Sequence, residues 1–175
     1  MFKTSIYYLA IILLFTACGS GERPLDTVDQ VDLEKYMGKW YEIERLPNKF
    51  EAGLKCVTAE YALLDNGNIR VLNSGINEES GELKSSEGIA KSANKDAPGE
   101  LKVSFFRPFY GDYFIMELDE NYQYVLVGAP SRDFLWILSR TPALDENMVS
   151  DLKLKAELTG FPIKQMKVID QDCGR

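Results

Sequence analysis

The sequence predicts an all-β fold: an eight-stranded antiparallel up-and-down β-barrel with one C-terminal α-helix packed outside. Three observations predict it. Between Trp40 and Ser139 the chain is a string of short segments in which apolar residues alternate with polar ones, and turn signals separate each from the next. A helical period appears strongly only once, after Asp145. No internal repeat or second domain is visible in residues 31–175, which are enough chain to enclose one core.

The elements follow in order. Val31 to Tyr36 offers one helical turn ahead of Gly38, and the first strand is read from Trp40 to Leu46. Val57 to Leu64 is the second, and Asp65-Asn66-Gly67 is a hairpin turn whose Asn-Gly pair tolerates positive φ. Ile69 to Asn73 is the third strand; Leu83 to Ala93, diluted by Ser85, Ser86, Glu87 and Gly88, is the fourth. The fifth begins Leu101-Lys-Val-Ser-Phe, which puts Leu101, Val103 and Phe105 on one face. Tyr113 to Leu118, Tyr122 to Gly128 and Phe134 to Ser139 complete the eight. Asp145 is then an N-cap, and Glu146 adds favourable charge to the first turn of a helix. Met148, Val149, Leu152, Ala156 and Thr159 share one side of it, and Gly160 with Pro162 stops it. A last strand is expected from Ile163 to Ile169.

Composition excludes several kinds of function. The 175 residues contain no histidine, which removes Ser-His-Asp and Cys-His catalysis, His-ligated haem and His-based zinc sites. No metal and no cofactor is expected. A formal charge of −7 with no basic run argues against nucleic acid as a partner.

Residues 1–17 have the anatomy of an exported leader, with Lys3 ahead of the short apolar run Ile6 to Phe15. That run falls short of the roughly 20 apolar residues of a membrane-spanning helix. Phe15-Thr16-Ala17-Cys18 resembles the lipobox of bacterial lipoproteins, with Phe15 in place of the usual Leu. The resemblance implies cleavage before Cys18 and lipid, palmitate included, attached there; a plain secretory cleavage nearby is the alternative. Loss of the leader removes Lys3 and no acid, taking the formal charge from −7 to −8. Gly19-Ser20 lacks the Asp that retains enteric lipoproteins in the inner membrane, so the outer membrane is expected, with the domain facing the periplasm. Residues 18–30 are read as a tether. Export makes a disulfide the default for Cys56 and Cys173, against a reactive thiol at Cys56.

Gly38-Lys39-Trp40 at the head of the first strand, eight strands, a late helix and Phe134-Leu-Trp-Ile-Leu-Ser-Arg140, which is the last barrel strand with an arginine just after it, together resemble the lipocalin family. Val57-Thr-Ala-Glu-Tyr61 and Leu101-Lys-Val-Ser-Phe-Phe106 carry the resemblance further, towards the bacterial outer-membrane lipocalins and apolipoprotein D. The family's middle motif is reduced to Leu118-Asp119 followed by Tyr122 and Tyr124. The resemblance implies a closed end made of Gly38, Trp40 and Arg140, and a Cys56–Cys173 bond.

It also implies a calyx for an elongated apolar ligand such as a fatty acid or lysophospholipid. Trp136 and Tyr61 point inward by resemblance; strand parity then adds Phe134 and Leu138, and Val57, Ala59 and Leu63. Asn73 brings Val71 and Ile69, Leu101, Val103 and Phe105 follow their own alternation, and Tyr113 and Ile115 come from the resemblance. The expected ligand-binding residues are Trp136, Tyr61, Asn73, Tyr113, Val71, Ala59, Phe105, Val103 and Leu138, each of which also suits plain core packing. Glu117 shares the parity of Tyr113, which sets a carboxylate near the barrel floor against a strand-end residue in solvent. Phe105 to Gly111 reads as an aromatic loop at the open mouth, where gating, membrane contact, a homodimer contact or packing within the loop all remain open. No catalysis is expected. Two other readings stand beside lipid binding: an envelope protein with a filled barrel that binds another protein, and a lipocalin-type enzyme.

Overall fold

The computed structural model describes residues 24–173, so the expectations for the leader, Cys18 and its lipid lie outside the described residues. Strands β1 (Gly38–Arg45), β2 (Leu54–Leu63), β3 (Ile69–Asn77), β4 (Leu83–Ser92), β5 (Glu100–Phe106), β6 (Phe109–Leu118), β7 (Tyr124–Gly128) and β8 (Leu135–Ser139) pair antiparallel, each with the next. Because β1 pairs with β8 as well as β2, the sheet closes into a barrel. A short helix, α1 (Leu33–Tyr36), precedes β1, and α2 (Glu146–Leu158) packs outside. The last expected strand is instead a 3-10 turn at Ile163–Gln165 and a two-residue strand, β9 (Lys167–Val168), on β1. Pro162 opens that turn, and only Lys167 and Val168 lie alongside Arg45 and Glu44.

Alternation sorts the apolar residues into two cores. Trp40, Tyr61, Ile69, Val71, Leu101, Ile115, Val125, Val127 and Leu138 fill the interior with Tyr36. Ile43, Leu126, Leu135 and Ile137 form a second cluster outside the wall, covered by Leu152 and Ala156 of α2 and by Phe161. β7 and β8 are therefore buried on both faces, which is why Val125-Leu-Val127 and Leu135-Trp-Ile-Leu138 read as continuous apolar runs. Asp145 caps α2 by accepting from the Asn147 and Met148 N–H groups at 2.9 and 3.3 Å. A helix of 13 residues is marginal alone, so the outer cluster is what holds it.

Register shifts interrupt four of the ladders, and two of them decide which face a charged side chain takes. In β1 the register shifts between Glu42 and Glu44, so Ile43 and Glu44 both face outward and Arg45 returns to the interior. In β6 the shift between Ile115 and Glu117 turns Glu117 outward, where its carboxylate meets Lys155 of α2 at 2.7 Å. Glu117 is thus neither a floor carboxylate nor free in solvent. Its extra neighbour, Met116, joins the outer cluster. The expected aromatic loop is also corrected: Phe106 pairs with Phe109, and only Arg107 and Pro108, joined by a cis peptide, connect β5 to β6.

Two segments close the outside. Leu25 is buried in the outer cluster and the Val28 N–H donates to the Ile115 carbonyl at 2.9 Å, so part of the expected tether packs on the barrel. β1 and β2 pair only through Gly38–Tyr41 and part towards the other end. The C-terminal segment fills that split. Ile169 N–H donates to Ile43 O, Cys56 N–H to Asp170 O, and the Gln171 amide to the carbonyls of Glu42 and Val57. Cys56 and Cys173 form a disulfide that pins it there.

Candidate ligand-binding site

Gly38 has φ +91°, a left-handed conformation that only glycine takes without strain, and this turn out of α1 aims Trp40 inward. Trp40 is fully buried and donates from Nε1 to the Tyr36 carbonyl at 2.9 Å. The Arg140 guanidinium lies 3.8 Å from the centre of its ring, a contact worth about 0.5–2 kcal/mol. Its nitrogens donate to the carbonyls of Lys39 at 2.9 Å, Lys35 at 2.7 Å, Tyr36 at 3.1 Å and Tyr122 at 3.2 Å. One side chain therefore ties α1, β1 and the β6–β7 turn together. In that turn the Asp119 carboxylate accepts from the Asn121 and Gln123 N–H groups, and the Tyr122 hydroxyl accepts from Asp32 N–H at 2.8 Å. The reduced middle motif still makes a closed turn.

Above this plug lies a floor of three phenols. The Tyr113 hydroxyl is 2.7 Å from that of Tyr36 and 2.9 Å from that of Tyr61. Burial pushes all three phenols above the usual tyrosine range, so they stay protonated. Three hydroxyls bring three hydrogens to two bonds, leaving one hydrogen for an occupant of the calyx. Val71 and Leu138 line the wall, with Ala59 and Val103 packed against it. Asn73, opposite Ala59, holds a buried Oδ1 that has no hydrogen-bond partner. An unpaired buried amide oxygen is costly, and a ligand donor would relieve it.

Towards the open end the wall is ionic. Glu42 and Arg45, both buried, sit opposite Leu138 and Trp136 on β8. Arg45 donates to the Glu42 carboxylate at 2.7 Å and to the Glu51 carbonyl, and its Nε lies 3.8 Å from the Glu51 carboxylate. That carboxylate, carried by the β1–β2 connection, accepts from Asn48 at 2.6 Å and from Trp136 Nε1 at 3.1 Å. Burial, with the Glu51 charge behind it and Arg45 opposing, pushes the Glu42 carboxyl up to about 8. Near neutrality Glu42 keeps its proton, and Arg45 balances Glu51.

The structure brings Tyr61, Tyr113, Val71, Ala59, Val103, Leu138, Phe105 and Trp136 to the interior core, with Asn73 among them on β3. Phe134 stacks on Trp136 at 5.7 Å, just before β8 begins. Leu63 departs from the parity expectation: it ends β2 and is 45% exposed, because the wall stops there. Glu42, Arg45 and Glu51 were not among the sequence candidates. Glu42 shares the parity of Trp40, a signal that could have placed it inside, whereas Arg45 is turned inward only by the bulge. The disulfide also removes a free thiol at Cys56.

A lipocalin-like domain is matched over residues 31–171. The outer membrane lipoprotein Blc of Vibrio cholerae is 40% identical over 168 residues, covering 95% of this chain and 98% of that protein. Apolipoprotein D of Mus musculus is 37% identical over 183 residues, covering 96% of this chain and 95% of that protein. Among solved structures, insecticyanin of the tobacco hornworm Manduca sexta superposes with a TM-score of 0.68 at 22% identity over 84% of each chain, a likeness of fold alone. No helix among the described residues is long and apolar enough to cross a membrane. With a closed antiparallel barrel, an external helix and a domain match that spans most of its length, the chain belongs to the lipocalin family, whose members are generally proteins that bind or transport hydrophobic small molecules.

Proposed function

We propose that this protein carries or sequesters a single-chain lipid, a fatty acid or a lysophospholipid, in its barrel at the bacterial outer membrane. The supporting observation is the layering of the interior: tyrosines and aliphatic side chains below, with Glu42, Arg45, Glu51 and Trp136 towards the open end. An acyl chain gains about 0.8 kcal/mol for each methylene it buries. Its polar head is then left beside groups that both donate and accept. Trp136, Phe105, Val103, Leu138 and Ala59 contact the chain in this reading. Val71, Tyr61, Tyr113 and Asn73 receive its far end. Lipid on Cys18 holds the domain at the outer membrane, in keeping with the names of the bacterial relatives, and in this reading the domain faces the periplasm. No catalytic role is assigned to any residue.

The two tryptophans of the chain provide a test. A long-chain fatty acid or lysophospholipid titrated into residues 24–175 is expected to change the emission of the wild type and of Trp40→Phe, but not of Trp136→Phe. Absence of any long-chain lipid binding at about tens of micromolar, well above the range of functional ligand affinities, overturns the reading.

A further inference from the structure

The barrel wall also splits between β4 and β5. β4 pairs with β3 from Leu83 to Ala90, but with β5 only from Ile89, opposite Ser104, to Ser92, opposite Leu101. Beyond Ile89 the ladder stops, and residues 83–88 have no strand partner on that edge. The comparable split between β1 and β2 is filled by the C-terminal segment and locked by the disulfide. Among the described residues no chain fills the one between β4 and β5. A cleft of about 240 Å³ opens there, lined by Glu87, Gly88, Ile89, Ser104, Phe105 and Arg107.

These residues come from both faces of the wall. Gly88, opposite Val71, and Phe105, packed on the interior core, belong to the inward series, whereas Ile89 and Ser104 belong to the outward one. The cleft is therefore lined from both faces of the wall. A side chain at position 88 would meet Phe105 Cδ1 and the Ser104 carbonyl oxygen, each at 2.8 Å, so the Phe105 ring and the β5 backbone lie directly against the glycine. Ser104 is 4% exposed, and its Oγ has no hydrogen-bond partner. Arg107 lies between Phe106 and Phe109 in the chain, and these are 72% and 78% exposed; Leu83, at the start of β4, is 73% exposed.

We propose that the β4–β5 split is a side portal through which the acyl chain of a single-chain phospholipid passes from a bilayer surface into the calyx, with Phe105 as its gate. The proposal rests on the lipid-binding reading above. Exposed apolar side chains beside a cation match the acyl and phosphate layers of a bilayer. Arg107 receives the phosphate, and the unpartnered Ser104 hydroxyl offers a hydrogen bond within the passage. Entry over the top of the barrel would draw the whole chain through water, a barrier that grows with every carbon. Sliding sideways past Leu83 and Phe106 keeps it covered.

Glu87 and Phe106 are the positions that a continued ladder would oppose next after Gly88 and Phe105. Glu87→Cys with Phe106→Cys, bridged by a short bis-maleimide to which each thiol adds, closes the mouth without touching the interior. Transfer of a fluorescent lysophosphatidylethanolamine from phosphatidylethanolamine–phosphatidylglycerol vesicles is followed by stopped flow, and equilibrium affinity is measured separately. Bridging is expected to slow transfer by about tenfold or more at unchanged affinity, the signature of a kinetic barrier alone. Phe105→Ala is expected to speed both uptake and release. An unchanged transfer rate in the bridged protein overturns the portal, as does a loss of affinity in step with the rate. If the unbridged protein binds no lipid at equilibrium, the lipid reading fails and the portal fails with it.

Discussion

Arg45 sits between two buried carboxylates and can neutralise only one of them. The Glu42 carboxyl is held at about 8 against an ordinary 4.5, so between those values the folded protein keeps a proton that the unfolded chain releases. The unfolded state then binds fewer protons. Stability therefore falls as pH rises from 4.5 to about 8 and levels off above. Glu42→Gln should remove most of that fall, so that urea midpoints at about pH 5 and about pH 8.5 lie closer together than in the wild type. At the other end of the barrel, Trp40→Ala empties a fully enclosed site beneath Arg140. It should cost about 3–5 kcal/mol in chemical denaturation. Affinity for lipid should change far less in the fraction that remains folded. A variant that keeps its melting temperature but loses ligand would move Trp40 from the plug into the site.

The close packing of elements makes a few small positions decisive. Gly128, at the end of β7, has Phe161 Cζ 2.6 Å and Met116 Sδ 2.8 Å from where a Cβ would stand. Gly128→Ala forces the segment after α2 away from the wall and should cost about 1–3 kcal/mol, read as a lower urea midpoint. The C-terminal segment depends on its disulfide, which spans 117 residues of chain. Cys56→Ser with Cys173→Ser should lose about 2–5 kcal/mol. Hydrogen exchange should rise first at the amides of residues 56 and 169, which donate to the Asp170 and Ile43 carbonyls where the segment seals the β1–β2 split.

Strand order was legible from alternation and turn residues, and so was α2 from its cap and period. Strand parity was legible only between bulges. Glu117 and Arg45 were misread or passed over because each follows a register shift that sequence does not mark. Phe105 to Gly111 looked like a loop because Arg107-Pro108 interrupts the apolar run, whereas it is the tip of a tight hairpin.

At the scale of the molecule, a ligand that binds only the folded barrel must stabilise it by mass action. Lysophospholipid or fatty acid at about 100 times its Kd should add about 2.7 kcal/mol and raise the melting temperature, whereas a short-chain analogue at equal concentration should not. Calorimetry with and without lipid checks this on the domain from Pro24 onwards.

What the sequence determined by itself is the barrel and its external helix, because period-two alternation and a capped helical period are local signals; the plug of Trp40 under Arg140 was what the lipocalin resemblance implied. The interior was legible as a list of apolar and aromatic positions. Only the tertiary structure decided the charge inside it. Glu42 follows Trp40 at strand parity, but it takes a bulge to bring Arg45 beside it and a folded-back connection to bring Glu51. The same holds for the split wall. Pairing between β4 and β5 ends where their hairpins diverge, and that divergence is a property of the closed sheet that neither strand's sequence contains.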